Sequence, residues 1–307
     1  MTDMRDGTMP NQDMLTKVRQ ASGFIAALDQ SGGSTPGALK GYGYKGDEWS
    51  SDEEMFGLIH KMRTRIVTSP SFTGEKILGA ILFERTMDGE ANGRPVPEYL
   101  WSKNVVPFLK IDKGLADQEN GVQLMKPMPD LDSLLERAVQ KGIFGTKERS
   151  VIHLANPAGI AEVVGQQFEV ATQVLRHGLV PIIEPEVSIK SPERAQADEI
   201  LRDEILRHLD RLPEGHEVML KLSIPARAGT FDALIQDPRV LRVVALSGGY
   251  SRSDACRELA KNPGMIASFS RALLEDLRQG MSDADFDRSL AEAIDEIYEA
   301  STEKIAA

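Results

Sequence analysis

The sequence is built from eight short apolar runs, each ending in a polar or charged residue and separated from the next by an amphipathic stretch of helical spacing. The runs lie at 23–29, 77–84, 105–112, 142–149, 179–186, 217–222, 241–249 and 265–271. Continuous apolar character without strict alternation is typical of strands that are covered on both faces. Strands that alternate with helices indicate βαβ units and a parallel sheet.

Eight such units suit a closed (β/α)8 barrel, also called a TIM barrel, which needs about 250 residues plus insertions. The chain has 307 residues and shows neither an internal repeat nor a glycine- or serine-rich linker. An open, doubly wound sheet is the alternative on pattern alone. We therefore predict one α/β barrel domain over residues 1–307, with residues 1–20 as an N-terminal extension along the outside of the barrel.

The charge and the cysteine usage limit the partners and the location of the protein. A net charge of −11 argues against nucleic-acid binding, which normally requires a basic surface. No apolar run approaches the roughly 20 residues that cross a bilayer, and the polar, acidic N-terminus lacks the features of a targeting segment. With Cys256 as its single cysteine, the chain is expected to be cytoplasmic. A homo-oligomer is left open.

The five histidines show no paired metal-ligand spacing, so we expect no metal and no cofactor. Residues 41–46 match the dinucleotide pattern G-x-G-x-x-G, but no buried strand directly precedes them, as that pattern requires. We interpret this segment as a glycine-rich loop beside the site, with Lys40 within reach of a phosphate. Towards the C-terminus, residues 271–280 and 283–301 are predicted to form two helices.

Lys221 is the candidate nucleophile, because it stands inside an apolar run, where an unpaired ammonium is costly. A desolvated lysine near other cations is more easily a neutral amine, which is the form that attacks a carbonyl. The alternative is a lysine that extends from a strand end to solvent. Lys110, Lys147 and Arg149 lie at other strand ends and favour the catalytic interpretation.

Two carboxylates, Glu184 and Glu186, lie two residues apart at the end of the fifth run and therefore point the same way. Like-charged neighbours raise one pKa, which suits a group that gives and takes protons. A solvated acidic loop is the alternative. Asp29 ends the first run and adds a further carboxylate at the same end of the barrel, where the catalytic groups of such folds lie.

The last two runs end in residues suited to an anion. Glycines let backbone N–H groups approach closely, hydroxyls donate hydrogen bonds, and arginine binds phosphate oxygens with two donors. Barrels often bind phosphate after strands seven and eight. An ordinary turn is the alternative for the first segment alone. The predicted phosphate residues are Ser247, Gly248, Gly249, Ser268, Ser270 and Arg271.

Seven segments of the chain read LDQSGGS, FLKIDKG, TKER, VPIIEPE, MLKLS, LSGGYS and SFSRAL. In this order, and across residues 23–275, they resemble the corresponding segments of class I (Schiff-base) fructose-bisphosphate aldolases. The resemblance implies that the chain cleaves fructose 1,6-bisphosphate reversibly to dihydroxyacetone phosphate and glyceraldehyde 3-phosphate. It also implies a bacterial-type enzyme of glycolysis and gluconeogenesis that needs no metal.

The same resemblance implies a role for each matching residue. Lys221 forms the imine, Glu184 transfers protons, and Lys147 keeps the site electropositive. Asp29 orients substrate hydroxyls, and Glu186 supports the ionic network around Lys221. Further substrate contacts are implied for Ser31, Ser34, Lys110 and Arg149, and phosphate contacts for Ser247, Gly248 and Arg271.

Two departures from the animal members of the family stand out. The animal enzymes end in a tyrosine that folds over the site, whereas the last tyrosine here is Tyr298 and the chain ends in EKIAA. Another group, or Tyr298 itself, would have to take that part. Ser270 also stands where the animal pattern has glycine. A Schiff-base lyase for a different ketose phosphate and a catalytically silent barrel that serves as a scaffold are the competing hypotheses.

Overall fold

The computed structural model describes residues 9–30 and 35–305 and contains eight parallel strands, one at each predicted run. We number them β1 (Phe24–Leu28), β2 (Ile77–Leu82), β3 (Val106–Lys110), β4 (Gly145–Ile152), β5 (Val180–Val187), β6 (Val218–Ser223), β7 (Val240–Leu246) and β8 (Met265–Ala267). Each strand pairs with the next in chain order. This order confirms the predicted (β/α)8 barrel.

The sheet curves until its two edge strands meet. There the backbone amide of Ala27 donates a hydrogen bond of 3.1 Å to the carbonyl of Phe269, just beyond β8. The last strand is short, with three residues against eight in β4 and in β5. We call this junction between β8 and β1 the seam. Because β8 is short, side chains must help the backbone to hold the two strands together there.

Helices surround the strands. The longer ones are α1 (Gln12–Gln20), α2 (Thr35–Tyr42), α3 (Asp52–Thr68), α5 (Val96–Ser102), α6 (Leu131–Gln140), α7 (Pro157–Arg176), α8 (Arg194–Leu209), α10 (Arg252–Ala260) and α12 (Asp283–Thr302), and the one-turn helices are α4 (Glu84–Met87), α9 (Asp232–Ile235) and α11 (Arg271–Leu274). Within residues 9–30 and 35–305, no helix is both long and apolar enough to cross a membrane.

Side chains alternate between two layers along the strands. Residues such as Ile25, Ala27 and Ile182 fill the barrel interior, whereas Leu28 and Ile183 pack outwards beneath the helices. All are fully buried, because the parallel sheet is covered on both faces. The period of two fixes which residue of each strand points into the barrel where the strand ends.

The N-terminal extension was predicted to run along the outside of the barrel, and its described part does not. Helix α1 lies across the amino-terminal end of the barrel, where Met14 and Val18 are buried against the innermost strand residues. Arg242 on β7 holds it there, because its Nε donates to the carbonyl of Val18 at 2.7 Å. The apolar positions of α1, spaced four residues apart, cover barrel-lining side chains that would otherwise contact water.

Two further predictions about local structure were only partly right. Residues 41 and 42, expected in a loop, end helix α2, and the chain turns only at Gly43, whose φ is +104°. The helix predicted over 271–280 stops at Leu274. It stops because the chain turns back towards α2, where the amide of Gln279 donates to the carbonyl of Tyr42 at 2.7 Å. Both depend on contacts between distant segments.

Candidate active site

A cavity of about 830 Å³ opens at the carboxyl-terminal end of the barrel. Of the residues predicted from the sequence, the cavity is lined by Asp29, Lys110, Lys147, Arg149, Glu184, Glu186, Lys221, Ser247, Gly248, Ser268, Ser270 and Arg271. Gly249 stands beside the cavity, where a Cβ added to it would lie 3.5 Å from Nη2 of Arg271. Ser31 and Ser34 lie outside the described residues.

The alternation of side chains explains why these residues converge. Lys221 follows the interior residue Met219 by two positions, and Glu184 follows Ile182 in the same way. Asp29 stands two residues beyond Ala27. Each therefore points along the barrel axis at the carboxyl end of its strand, one layer above the apolar interior.

Four buried charges form a continuous chain of ion pairs across the floor of the cavity. Nζ of Lys147 lies 2.6 Å from Oδ2 of Asp29 and 2.9 Å from Oε2 of Glu184. The other oxygen of Glu184 lies 3.3 Å from Nζ of Lys221. The four residues are at most 8% exposed, so they interact in a medium that screens charge poorly.

This arrangement fixes the protonation of the inner pair. Burial opposes ionisation of Asp29, but the ammonium groups of Lys147 and Lys221 outweigh it and hold the pKa of Asp29 well below its ordinary value. Burial likewise opposes the charged form of Lys147. The carboxylates of Asp29 and Glu184 overcome that effect and raise the pKa of Lys147 well above the ordinary lysine value. Lys147 is therefore a permanent cation in the floor of the cavity.

Two further ion pairs lie on the β3–β5 side of the cavity. Nζ of Lys110 lies 2.7 Å from Oδ1 of Asp112, and Nε of Arg149 lies 2.6 Å from Oε2 of Glu186. Burial lowers the pKa of Lys110 despite Asp112. For Arg149, burial acts in the same direction, but the carboxylates of Glu186 and Glu184 raise its pKa. The observed partner of Glu186 is thus Arg149.

The side of the cavity next to β7 and β8 offers donors for an anion. Gly248 and Gly249 have φ values of +60° and +114°, which residues other than glycine rarely adopt. A Cβ on Gly248 would also lie 2.6 Å from Cγ2 of Ile189. The exposed Arg271 faces this turn, and the hydroxyls of Ser247 and Ser268 come from the two adjacent strand ends. The glycines let the backbone approach a ligand closely.

Several residues of the cavity were not predicted. Asp112 lies two positions after Lys110, a spacing that could have indicated a carboxylate on the same face of an extended segment. Gln30 lines the cavity directly after Asp29. The α2 and α3 residues that close one side carry no charge and were not predicted individually, although Gly41 and Tyr42 belong to the glycine-rich segment expected beside the site. These residues include Gly37, Ala38, Gly41, Tyr42 and Met62.

Tyr298, one candidate for the part of the animal C-terminal tyrosine, lies at the opposite end of the barrel. Its ring in α12 packs against Lys76, whose Nζ is 5.8 Å from the ring centre and which directly precedes β2. The following segment stays at that end, because Nζ of Lys304 donates to the carbonyl of Met265, the first residue of β8, at 2.7 Å. Tyr298 is therefore far from the cavity.

The lysines of the cavity, and Arg149, are paired with neighbouring carboxylates. In the part of the chain that the structure describes, no group of three or more histidine, cysteine, aspartate or glutamate side chains could hold a metal ion. The arrangement instead supplies a lysine amine, an adjacent carboxylate for proton transfer, a fixed cation and donors for an anion. These are the groups that covalent catalysis on a carbonyl compound requires.

Comparison with known proteins places the chain in a defined context. The sequence model of the family described as fructose-bisphosphate aldolase class-I matches residues 54–224. A protein named fructose-bisphosphate aldolase class 1 from Synechocystis sp. is 57% identical over 293 residues, which cover 95% of this chain and 98% of that protein.

Similar solved structures have the same fold. A fructose-bisphosphate aldolase from Plasmodium falciparum, in complex with TRAP and a small-molecule inhibitor, matches with a TM-score of 0.77 at 20% identity over 99% of both chains. An archaeal fructose-1,6-bisphosphate aldolase, with its catalytic lysine covalently bound to the carbinolamine intermediate of the substrate, gives a TM-score of 0.54 at 12% identity. That match covers 93% of this chain and 98% of the archaeal one.

Proposed function

The chain belongs to the class I fructose-bisphosphate aldolase family, and on that premise we propose that Lys221 is the lysine that forms the Schiff base with the substrate. The enzyme is a carbon–carbon lyase that reversibly cleaves fructose 1,6-bisphosphate to dihydroxyacetone phosphate and glyceraldehyde 3-phosphate. One observation carries the assignment of Lys221. Its Nζ lies inside the cavity, 3.3 Å from a carboxylate oxygen of Glu184, which can exchange protons with it.

In the first step Glu184 takes a proton from the Lys221 ammonium, and the resulting amine attacks C2 of the ketose and forms a carbinolamine. Glu184 then protonates the hydroxyl at C2, which leaves as water and yields a protonated imine. Glu184 can serve both carbinolamine formation and its dehydration, because one of its oxygens lies beside Lys221 while the other is held by Lys147. A carboxyl group held beside the reacting atoms contributes through proton transfer, which is typically worth about 10²–10⁴-fold in rate.

Cleavage follows when the hydroxyl at C4 loses its proton to Glu184, which dehydration has left as a carboxylate, and the C3–C4 bond breaks. The electron pair of that bond moves into the imine at C2 and forms an enamine, so the cationic nitrogen takes up charge that would otherwise reside on carbon. Asp29 orients the substrate hydroxyls and assists removal of the C4 proton. Lys147, fixed as a cation between Asp29 and Glu184, stabilises the developing oxyanion.

The order of the strands suggests how the two phosphates lie. The C1 phosphate is one carbon away from the imine, so it must stay near Lys221 on β6. The turn at Ser247 and Gly248 ends the neighbouring strand β7, and Arg271 follows β8. We assign the C1 phosphate to these residues with Gly249, Ser268 and Ser270. Lys110 and Arg149 remain for the other end of the substrate, and Glu186 keeps Arg149 in place.

Reduction of the trapped intermediate tests the nucleophile directly. Borohydride added with dihydroxyacetone phosphate should leave a stable adduct on the peptide that contains Lys221, and the Lys221→Arg variant should show none. Peptides that contain Lys110 and Lys147, the other two lysines of the cavity, serve as internal controls. An adduct on either of these lysines would reassign the nucleophile, and no adduct on the folded wild type would refute covalent catalysis.

Two expectations from the sequence remain proposals. A single (β/α)8 domain is supported by the continuous order of the eight strands. A cytoplasmic location is supported by the cysteine usage of the chain. Self-association into a homo-oligomer is left open.

Turnover should survive a strong chelator, because the proposed imine needs no metal ion. Loss of activity on chelation would contradict this mechanism.

A further inference from the structure

The seam between β8 and β1 holds a side-chain bridge next to the proposed phosphate site. Gln30, which follows Asp29 and is 8% exposed, extends its side chain across the seam. Its Nε2 donates a hydrogen bond of 2.6 Å to Oγ of Ser270, and it lies 3.4 Å from the carbonyl of Ala27. Ser270 directly precedes Arg271 and lines the cavity. The bridge therefore joins the strand end that carries Asp29 to the segment proposed to hold phosphate.

A buried arginine keeps Gln30 in place from behind. Arg63 on α3 is 1% exposed, and its Nη1 donates to Oγ1 of Thr86 at 2.9 Å. Its Nη2 donates to the backbone carbonyl of Gln30 and lies 3.4 Å from the side-chain Oε1 of the same residue. A guanidinium has donors only, so the amide oxygen of Gln30 must face Arg63 and the amide nitrogen must face Ser270.

The direction of this bond decides where the proton of Ser270 points. A serine hydroxyl has one proton to donate and two lone pairs that accept. When Oγ accepts from Gln30, its own proton stays free for another acceptor. Ser270 lines the same cavity as Ser247, Gly248 and Arg271, so that proton is available to a phosphate oxygen bound among them.

We propose that Gln30 is a positioning residue for the substrate: it orients the Ser270 hydroxyl as a donor to the phosphate held by Arg271. This inference rests on the phosphate site of the proposed function. It gives a role to the serine that stands where the animal enzymes of the family have glycine. Gln30 does not contact the reacting carbons in this arrangement, so it acts on substrate binding through Ser270.

The variants Gln30→Ala, Gln30→Glu and Ser270→Ala separate positioning from support of the fold. Each should raise the KM for fructose 1,6-bisphosphate about three- to tenfold, which corresponds to the loss of one hydrogen bond, with kcat changed less than about twofold. Gln30→Glu is the sharpest, because a carboxylate can still bridge the seam but only as an acceptor. It would turn the Ser270 proton away from the substrate.

Double variants, in which a Gln30 substitution is combined with Ser270→Ala, test whether Gln30→Glu acts only by repelling the phosphate. If Gln30 acts through Ser270, then neither Gln30→Ala nor Gln30→Glu should raise KM further when Ser270 is already alanine. Additive effects would overturn the proposal, as would an unchanged KM in the single Gln30 variants. Gln173→Ala is the matched control, because Gln173 makes a side-chain hydrogen bond to Asp132 on the surface, and its KM should equal that of the wild type.

Two further measurements keep the outcomes distinguishable. Thermal unfolding of each variant shows whether the seam has opened, and Ser270→Ala tests the proposal even if a Gln30 variant fails to fold. With saturating dihydroxyacetone phosphate, the borohydride adduct on Lys221 should persist in all of them. Loss of the adduct from the wild type would refute the proposed function itself, whereas retention of the adduct with unchanged KM values refutes only the role of Gln30.

Discussion

The two faces of β4 differ in whether their buried polar groups have partners. On the inward face, Lys147 is buried between two carboxylates and Arg149 pairs with a third. On the outward face, Thr146, Glu148 and Ser150 are fully buried beneath the helices. Their side-chain oxygens have no hydrogen-bond partner among the described residues. The faces belong to consecutive residues of one strand, so the difference comes from what surrounds each face.

The comparison shows what burial does to a charge with and without partners. Lys147 remains charged because Asp29 and Glu184 more than offset the loss of water around it. For Glu148 burial dominates, Asp112 acts in the same direction, and the pKa is raised well above the ordinary value, so that the carboxyl is neutral over a wider pH range. The site thus keeps its charges by mutual pairing, whereas burial makes the carboxyl on the outward face hold its proton more tightly.

Removing Lys147 would make the inward face resemble the outward one. Lys147→Met leaves Asp29 without its closest cation, and we expect the free energy of unfolding to fall by about 3–5 kcal/mol. Turnover should be lost as well, because the fixed cation is absent. Urea unfolding measures the effect. Lys141→Met, at a surface ion pair with Asp88, is the control and should change stability by less than about 1 kcal/mol. Equal losses in both would contradict the comparison.

Glu184→Gln keeps the shape of the side chain but removes its capacity to take up a proton. We expect kcat to fall about 10²–10⁴-fold, since the proposed proton transfers lose their carrier. Glu169→Gln, an exposed substitution on α7, should leave kcat unchanged. Steady-state kinetics with fructose 1,6-bisphosphate decides between them. A loss smaller than tenfold would place the proton transfer on another group.

On the outward face, replacing the buried ionisable group should raise the free energy of unfolding, whereas replacing Lys147 on the inward face should lower it. The pKa of Glu148 is raised in the folded state above an unfolded value of about 4.3, so the folded protein binds the proton more tightly. Its contribution to stability is fully present below pH 4 and is lost as the pH rises through the raised pKa. Glu148→Gln does not titrate, so its stability relative to the wild type should rise as the pH increases through the raised pKa.

The measurement is urea unfolding of the wild type and Glu148→Gln at pH 5, 7 and 8.5. The advantage of the variant should grow across this series. Glu162→Gln, exposed on α7, should show no such trend. A constant difference, or a wild type that gains stability relative to Glu148→Gln as the pH rises, would mean that Glu148 is ionised and paired in the folded protein.

The smallest expected effect concerns Thr146 on the same outward face. Its hydroxyl is buried without a partner among the described residues, so Thr146→Val should raise the free energy of unfolding by up to about 1 kcal/mol. Ser102→Ala is the control, because that exposed hydroxyl donates to the carbonyl of Tyr99 at 2.7 Å. A marked loss of stability in Thr146→Val would reveal a hydrogen-bond partner for this hydroxyl.

Much of the candidate active site could be predicted from the sequence, and the reason is geometric. The apolar runs predicted all eight strands, and the residue that ends each run then follows from the period of two. Asp29, Lys147, Glu184 and Lys221 were predicted in this way, and the structure brings them together. Their pairing order, with Lys147 in the centre, was not predicted, because it depends on distances across the barrel.

Other parts of the molecule were decided by tertiary contacts. The position of α1 under the barrel depends on which surface a short amphipathic helix meets, and its own pattern does not contain that information. The bridge from Gln30 to Ser270 joins residues 240 positions apart in the chain and exists only because β8 closes on β1. Ser270 was predicted as a phosphate residue, but nothing in the sequence indicated that Gln30 contacts it.

The sequence by itself determined the strands, the helices between them and the face of each strand that carries chemistry, since these follow from local hydrophobic periodicity. Only the tertiary structure decided which charges are paired and which are merely buried. Lys147 and Glu148 are neighbours in one strand, yet Lys147 lies between two carboxylates, whereas the buried carboxyl of Glu148 has no hydrogen-bond partner among the described residues. Coulomb interactions and desolvation depend on distances in space, and those are set when the barrel closes.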